Sequence, residues 1–132
     1  MIFIDSGALV GRYLLNDPYS AAAVEIWREI AGQALVTTNH VLDEALTLIA
    51  RRAGYPFAAE RAERLYSSPA FEIVFSTIEH EREAVRYFRK FADQRVSFTD
   101  CISFAVMKRH RLHTAFTFDR HFLHAGFRII GA

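Results

Sequence analysis

Residues 2–5 read I-F-I-D, and residues 115–119 read A-F-T-F-D. Each is a short run of strand-forming residues closed by an aspartate. An apolar run as brief as Ile2 to Ile4 reads as a buried strand, and Ala115 to Phe118 reads as another. In an open parallel sheet, ligands bind outside the carboxyl ends of the strands. Two strands that end in Asp5 and Asp119 can therefore aim two carboxylates into one cleft.

The rest of the chain supplies the layers that such a sheet needs. Leu35 and Val36 form a strand candidate closing on Thr37 and Thr38. Phe71, Ile73 and Phe75 alternate with Glu72 and Val74 as in an edge strand, and Phe127 to Ile130 is the last strand. Between them, helical spacing runs from about Ser20 to Ile30, with Val24, Trp27 and Ile30 on one side. It resumes from Val41 to Arg52, where Gly54 and Pro56 stop it, and again from Phe57 to Tyr66. Thr77 to Phe91 is a polar helix with Ala84, Val85, Phe88 and Phe91 on one side. Ser97 to Asp100 matches the S-x-x-D capping box, and the apolar helix Cys101–Met107 follows. Strands alternating with helices predict an α/β fold with a mostly parallel central sheet, and right-handed crossovers place helices on both its faces.

At 132 residues the chain, residues 1–132, is expected to form a single domain. With 52% hydrophobic, 14% aromatic and 23% charged residues, it has enough apolar surface to fill a core, which argues against disorder. It contains neither a run of the ~18 apolar residues that a membrane helix needs nor a basic leader. A net charge of +1 excludes a strong global field drawing the protein onto nucleic acid, so any such contact rests on local patches. The only cysteine, Cys101, excludes an intramolecular disulfide and argues against a cysteine zinc site within one chain. A cytoplasmic location is expected.

Four acids occupy positions at strand ends or helix starts: Asp5, Glu44, Asp100 and Asp119. Glu44 is preferred over its neighbour Asp43. On a helical projection Val41, Leu42, Ala45, Leu46, Leu48 and Ile49 form one apolar arc; Glu44 sits on its edge beside Leu48, while Asp43 lies farther round. Gathering like charges is costly unless a cation neutralises them or some are protonated. Oxygen ligands favour Mg²⁺ or Mn²⁺, and such an ion suits phosphodiester chemistry by activating water and polarising the phosphoryl group. Three of the acids also have a plain structural reading: Asp100 as a capping acid, Asp119 as a turn residue, Glu44 as the polar edge of an amphipathic helix; Asp5, with no turn signal nearby, is harder to explain that way.

Other signals count for less. His110 with His113, and His121 with His124, form H-x-x-H pairs without a Cys or Glu to complete a zinc set, and read as helix-end and loop histidines. His121 follows Asp119 closely enough to face the cleft and touch phosphate. Basic clusters at Arg51/Arg52, Arg61/Arg64, Arg86/Arg89/Lys90 and Lys108/Arg109/Arg111 read as solvated helix faces, any of which could position an RNA backbone if it bordered the cleft. Phe57 and the Phe88–Phe91 stripe read as core or dimer contacts rather than base platforms.

Four motifs resemble those of PIN-domain proteins: I-F-I-D-S at the start, T-T-N-H-V-L-D-E-A-L-T-L, S-F-T-D-C-I-S-F-A-V-M-K, and F-T-F-D-R-H-F-L-H-A-G-F-R-I-I. They span Ile2 to Ile130 in the family's order. The chain is most similar to the VapC-type toxins, single-domain PIN ribonucleases of toxin–antitoxin pairs. That resemblance implies a three-layer α/β/α sandwich with a mostly parallel sheet and Mg²⁺- or Mn²⁺-dependent endoribonuclease activity. It implies Asp5, Glu44, Asp100 and Asp119 as the catalytic and metal-holding set. Ser6, Thr38, Ser97, Thr99 and Thr117 fall where the family often carries supporting hydroxyls. It also implies a homodimer, an RNA substrate and a cognate antitoxin protein that blocks the site. Cys101 stands where many relatives carry Ala, and reads as a small buried hydrophobe. A PIN nuclease of RNA processing without an antitoxin, or an inert RNA-binding PIN module, would share the fold; the intact acidic set argues against the second. An aspartyl-nucleophile phosphatase would want D-x-D after the first strand, whereas Asp5 is followed by Ser6 and Gly7.

Overall fold

The computed structural model describes residues 1–132. Its strands are β1 (Ile2–Ile4), β2 (Leu35–Thr38), β3 (Phe71–Val74), β4 (Thr114–Thr117) and β5 (Arg128–Gly131). The helices are α1 (Ser6–Tyr13), α2 (Ser20–Glu29), α3 (Asn39–Ala53), α4 (Tyr55–Ser67), α5 (Ile78–Lys90), α6 (Phe98–Arg109) and α7 (His121–His124), with a 3₁₀ turn at Ala92–Gln94. The strands pair in the order β3-β2-β1-β4-β5, all parallel. The chain lays down β1, β2 and β3 in one direction, then returns to place β4 on the other side of β1. The direction of winding thus reverses between β1 and β4, where Phe3 pairs with Ala115 and Ile4 with Phe116. That crevice is where such a sheet binds ligands, and Asp5 and Asp119 lie just beyond it.

Both faces of the sheet are covered. On one, Trp27 of α2 meets Phe116 at 5.2 Å between ring centroids, and its indole N–H donates to the Ala8 carbonyl at 3.0 Å. On the other, Phe3 meets Phe122 of α7, which receives the edge of Phe104 from α6. Helix α6 is buried without a break from Asp100 to Met107. It is apolar on all sides because it lies between the sheet and α5.

Local signals set the helix starts. Thr38 accepts the Val41 N–H at 3.1 Å and starts α3, and Ser97 accepts the Asp100 N–H at 3.1 Å and starts α6. The expected capping box at Ser97 is only half made, because the Asp100 side chain turns away from the cap. The reciprocal box is at α5, between Thr77 and His80. Strand β3 is an edge strand as expected but ends at Val74, leaving Phe75 exposed. Helices α1 and α7 were not expected from the sequence. At the far end of β5, Gly131 has φ +128°, and a Cβ there would fall 2.4 Å from the Thr117 carbonyl oxygen; glycine lets β5 close against β4 beside the site. No helix is long and apolar enough to cross a membrane.

Phe104 is fully buried and meets Tyr87, Phe91, Phe122 and Phe127. Phe104→Ala should cost about 3–5 kcal/mol of unfolding free energy. Phe88→Ala, at a ring already half exposed, should cost about 1 kcal/mol. Urea titrations of the two variants check the difference.

Candidate active site: a carboxylate cavity at the switch point

A cavity of about 500 Å³ opens at the carboxyl ends of β1 and β4. Asp5, Glu44, Asp100 and Asp119 all line it, together with Ser6, Ser97, Arg95, Arg120 and His121. The four acids singled out in the sequence therefore converge. Each arrives on a different element: Asp5 from the β1–α1 junction, Glu44 from the second turn of α3, Asp100 from the first turn of α6, and Asp119 from the loop after β4.

Asp5 and Asp100 are buried, Asp119 is half-buried, and Glu44 stands exposed at the mouth. Asp5 sits at the N-cap position of α1, yet its side chain caps nothing. Its Oδ2 instead accepts a hydrogen bond from the Thr117 hydroxyl at 2.6 Å, and its Oδ1 is buried with no partner. Thr117 Oγ1 also accepts the Asp119 N–H at 3.0 Å, so one hydroxyl joins two of the acids. Asp119 Oδ1 accepts from the His121 backbone N–H at 2.8 Å and lies 2.8 Å from His121 Nδ1.

The other hydroxyls divide by role. Ser6 lines the cavity beside Glu44 and favours its ionised form. Ser97 caps α6 while lining the cavity. Thr38 serves α3 as its cap, and Thr99 offers its carbonyl to the Ser103 hydroxyl at 3.1 Å.

Convergence shifts the protonation of these acids. Burial pushes the Asp5 carboxyl up to about 6, against the hydrogen bonds from Thr117 and the Ser6 backbone. Burial pushes Asp100 up to about 9, assisted by the charge on Asp5 and by a hydrogen bond to Asp119 that favours the protonated form. Glu44, exposed as a residue, has its carboxyl half-shielded from water at the cavity mouth, which raises it, as does the charge of Asp119, with Ser6 opposing. Acids held this way are short of a positive charge.

A hard divalent cation fits the donors. One ligand atom each from Asp100, Asp119 and His121 lies within 4.8 Å of the others, and the unpartnered, buried Asp5 Oδ1 is a carboxylate oxygen free to ligate. His121 lies outside the acidic set read from the sequence, where it stands only as a residue that could face the cleft. Its neighbour in the H-x-x-H pair, His124, turns instead to Gln94 Oε1 at 2.9 Å, so that pair does not act as a unit. His110 lies against His80 at 5.5 Å between ring centroids. None of the four basic clusters lines the cavity. Its cations are the isolated Arg95 and Arg120, and Arg95 holds a left-handed φ of 55°, an uncommon conformation for a residue with a side chain.

Without metal, the folded protein holds protons on Asp5 and Asp100 that the unfolded chain releases above about pH 4. The native state then binds more protons, so stability should fall as pH rises from about 4 towards about 9. Asp100→Asn removes the larger shift and should flatten this decline. It should raise stability at pH 8, because the wild type has to take up a proton on Asp100 to fold there and the amide does not. The Ser97 cap uses only the backbone of Asp100 and survives the change. Melts in EDTA across that pH range measure both effects.

The family model described as PIN domain matches residues 2–128. The 23S rRNA-specific endonuclease VapC20 of Mycobacterium tuberculosis is 32% identical over 127 residues, covering 96% of this chain and 95% of the relative. The VapC ribonuclease of Archaeoglobus fulgidus is 33% identical over 113 residues, 83% of this chain and 71% of the relative. The crystal structure of VapC20, described as a sarcin–ricin loop cleaving toxin, superposes with a TM-score of 0.88 at 30% identity, covering 96% of both chains. FitAcB from Neisseria gonorrhoeae superposes with a TM-score of 0.72 at 19% identity, covering 98% of this chain and 96% of that one, and shares the fold. A cavity of acids at the switch point of a parallel sheet thus comes with the matching family model and with relatives along nearly the whole chain: the protein belongs to the PIN-domain family, alongside the VapC ribonucleases.

Proposed function

We propose that this protein is a Mg²⁺- or Mn²⁺-dependent endoribonuclease, the toxin of a toxin–antitoxin pair. The observation that carries the reading is the buried carboxylate set with an orphaned Asp5 oxygen. Such a set is stable in its ionised form only with a cation among its members.

Asp5, Asp100 and Asp119 would hold the ion and Glu44 would complete the site from the mouth. When bound, the ion supplies Lewis-acid polarisation of the phosphate and activation of water. The chain's own residues do the rest. Thr117 orients Asp5 and Asp119 together. His121 holds Asp119 Oδ1 through its backbone N–H and its ring, and so fixes that carboxylate. Arg95 and Arg120 line the same cavity and would neutralise phosphates flanking the scissile bond.

The named relative acts on 23S rRNA, so a ribosomal stem-loop is the first substrate to offer this chain. The solved relatives include the toxin–antitoxin complex from Klebsiella pneumoniae, which supports a cognate antitoxin here. A homodimer belongs to the same reading. Exposed Ile78, Val85 and Phe88 on or beside α5 leave apolar surface available for protein contacts.

Cleavage of rRNA should stop in EDTA and return with Mg²⁺ or Mn²⁺. Asp5→Asn and Asp119→Asn should each abolish cleavage while the metal-free protein melts no lower than wild type. Added Mg²⁺ should raise the wild-type melting temperature, because it binds the native state, and raise that of the variants much less. Activity that persists in EDTA would overturn the assignment.

Arg95→Gln and Arg120→Gln should each weaken RNA binding. Each should also reduce the slope of log affinity against log salt by about 0.7 for a contact to single-stranded RNA. Neutralising Arg86, Arg89 and Lys90, which line a different surface hollow, should change the slope less. Fluorescence anisotropy titrations at several salt concentrations provide the slopes.

A further inference from the structure

Tyr19 also lines the carboxylate cavity. Its ring lies flat on Phe118, with centroids 4.5 Å apart and planes 12° from parallel. One face of Tyr19 is covered by Phe118, while the residue as a whole is 51% exposed, which leaves the other face open to solvent. An aromatic ring half in water beside a phosphate-binding cleft is unexplained by packing alone.

The pair is rigidly supported. Phe118 meets the buried Phe116 edge-on at 5.9 Å between centroids. Its ring is flanked by two glycines: a Cβ at Gly7 would lie 3.5 Å from it, and one at Gly131 only 3.2 Å. The Tyr19 backbone is fixed as well. Its N–H donates to Asp17 Oδ2 at 3.0 Å, its carbonyl accepts from the Ala23 N–H at 2.8 Å, and Arg52 Nη1 holds Asp17 Oδ1 at 3.3 Å. The ring therefore presents its open face without rearrangement.

We infer that Tyr19, backed by Phe118, is the platform on which an unpaired nucleobase of the RNA stacks beside the scissile phosphate. The inference rests on the nuclease reading and adds to it the residue that holds the base. Arg95, Arg120 and the carboxylates deal with backbone charge, which every RNA carries. A flat aromatic surface deals with a base, and only a base that is unpaired and turned out of its helix can lie on it. The substrate at the cut is then a loop, a bulge or an extruded nucleotide, not a regular duplex. Every base has a π-face, so the platform demands an unpaired nucleotide without itself choosing which one.

The test uses the intact chain carrying Asp5→Asn to prevent cleavage, with Mg²⁺ present and a fluorescein-labelled RNA stem-loop of sarcin–ricin sequence as probe. Tyr19→Ala should weaken binding roughly 5- to 150-fold, the range for loss of one aromatic–base stack. Tyr19→Leu, which keeps apolar bulk against Phe118, should weaken it similarly, and Tyr19→Phe should restore it. Stem-loops with single abasic sites should reveal one loop position where the same loss appears with Tyr19 present and vanishes in the Tyr19→Ala protein. A fully paired duplex of the same length should bind equally to both. Equal stem-loop affinity with and without the ring, or abasic losses that add to Tyr19→Ala at every position, would overturn the platform. If the chain with Asp5 intact cleaves the stem-loop while the ring proves dispensable, the nuclease reading stands and the platform alone falls. If it neither binds nor cleaves any RNA, both fall. An unchanged Mg²⁺ shift in the melting temperature of Tyr19→Ala with Asp5 intact separates a lost stack from a damaged metal site.

Discussion

Like charges brought together in a poorly solvated cavity are the constraint on which this structure turns. Asp5 and Asp100 are almost fully buried, and Asp119 and Glu44 add their fields to both. A fold built only for stability would separate them, since each buried charge without a partner is destabilising. Here they are kept together by groups that have little other purpose. Thr117 spends both capacities of its hydroxyl on Asp5 and Asp119, and protonation of Asp100 lowers the repulsion until a cation can take its place.

The topology supplies the convergence with few residues. Reversal of the winding between β1 and β4 sets two strand ends side by side, so Asp5 need only follow β1 directly and Asp119 follow β4 after one residue, Phe118. Helices α3 and α6 then each bring one acid in an early turn. Parallel strands force every one of these junctions to the same edge of the sheet. Close packing holds the edge in register: Phe104 and Phe122 anchor α6 and α7 beneath it, and Gly131 lets β5 approach the Thr117 carbonyl.

Much of this was legible in the sequence because it depends on local patterns. The order of strands and longer helices follows from periodicity, and the preference for Glu44 over Asp43 follows from the helical arc; Glu44 does line the cavity. What was hidden depends on distant neighbours. Helix α1 carries Gly7 and Gly11, both poor helix formers, and the reason for Gly11 lies in α2, where Ala23 would be only 2.7 Å from an added Cβ. Asp100 carries both a site reading and a capping reading in the sequence, which cannot show its side chain turning from Ser97 into the cavity. Arg95 stands alone in sequence and so formed no cluster. His121 looked like half of an H-x-x-H pair, yet His121 and His124 have separate partners, Asp119 and Gln94.

The distribution of charge explains how a chain of net +1 can accept a polyanion at an acidic centre. Long-range attraction is weak at this net charge and is screened within about 8–10 Å at ordinary ionic strength. Recognition then has to be local, and the cavity provides separate local groups for each part of a nucleotide. Arg95 and Arg120 line the same cavity as the acids and would contact phosphate, the acids would hold the cation that the reaction needs, and the Tyr19 face is apolar and insensitive to salt. Division of labour of this kind makes affinity depend less on ionic strength than a basic groove would. It also shifts discrimination from sequence or charge to the availability of an unpaired base. A protein with a broad positive face would bind RNA duplexes and tails alike; with isolated arginines beside a stacked aromatic pair, the cleft favours the few places in a folded RNA where a base is already free.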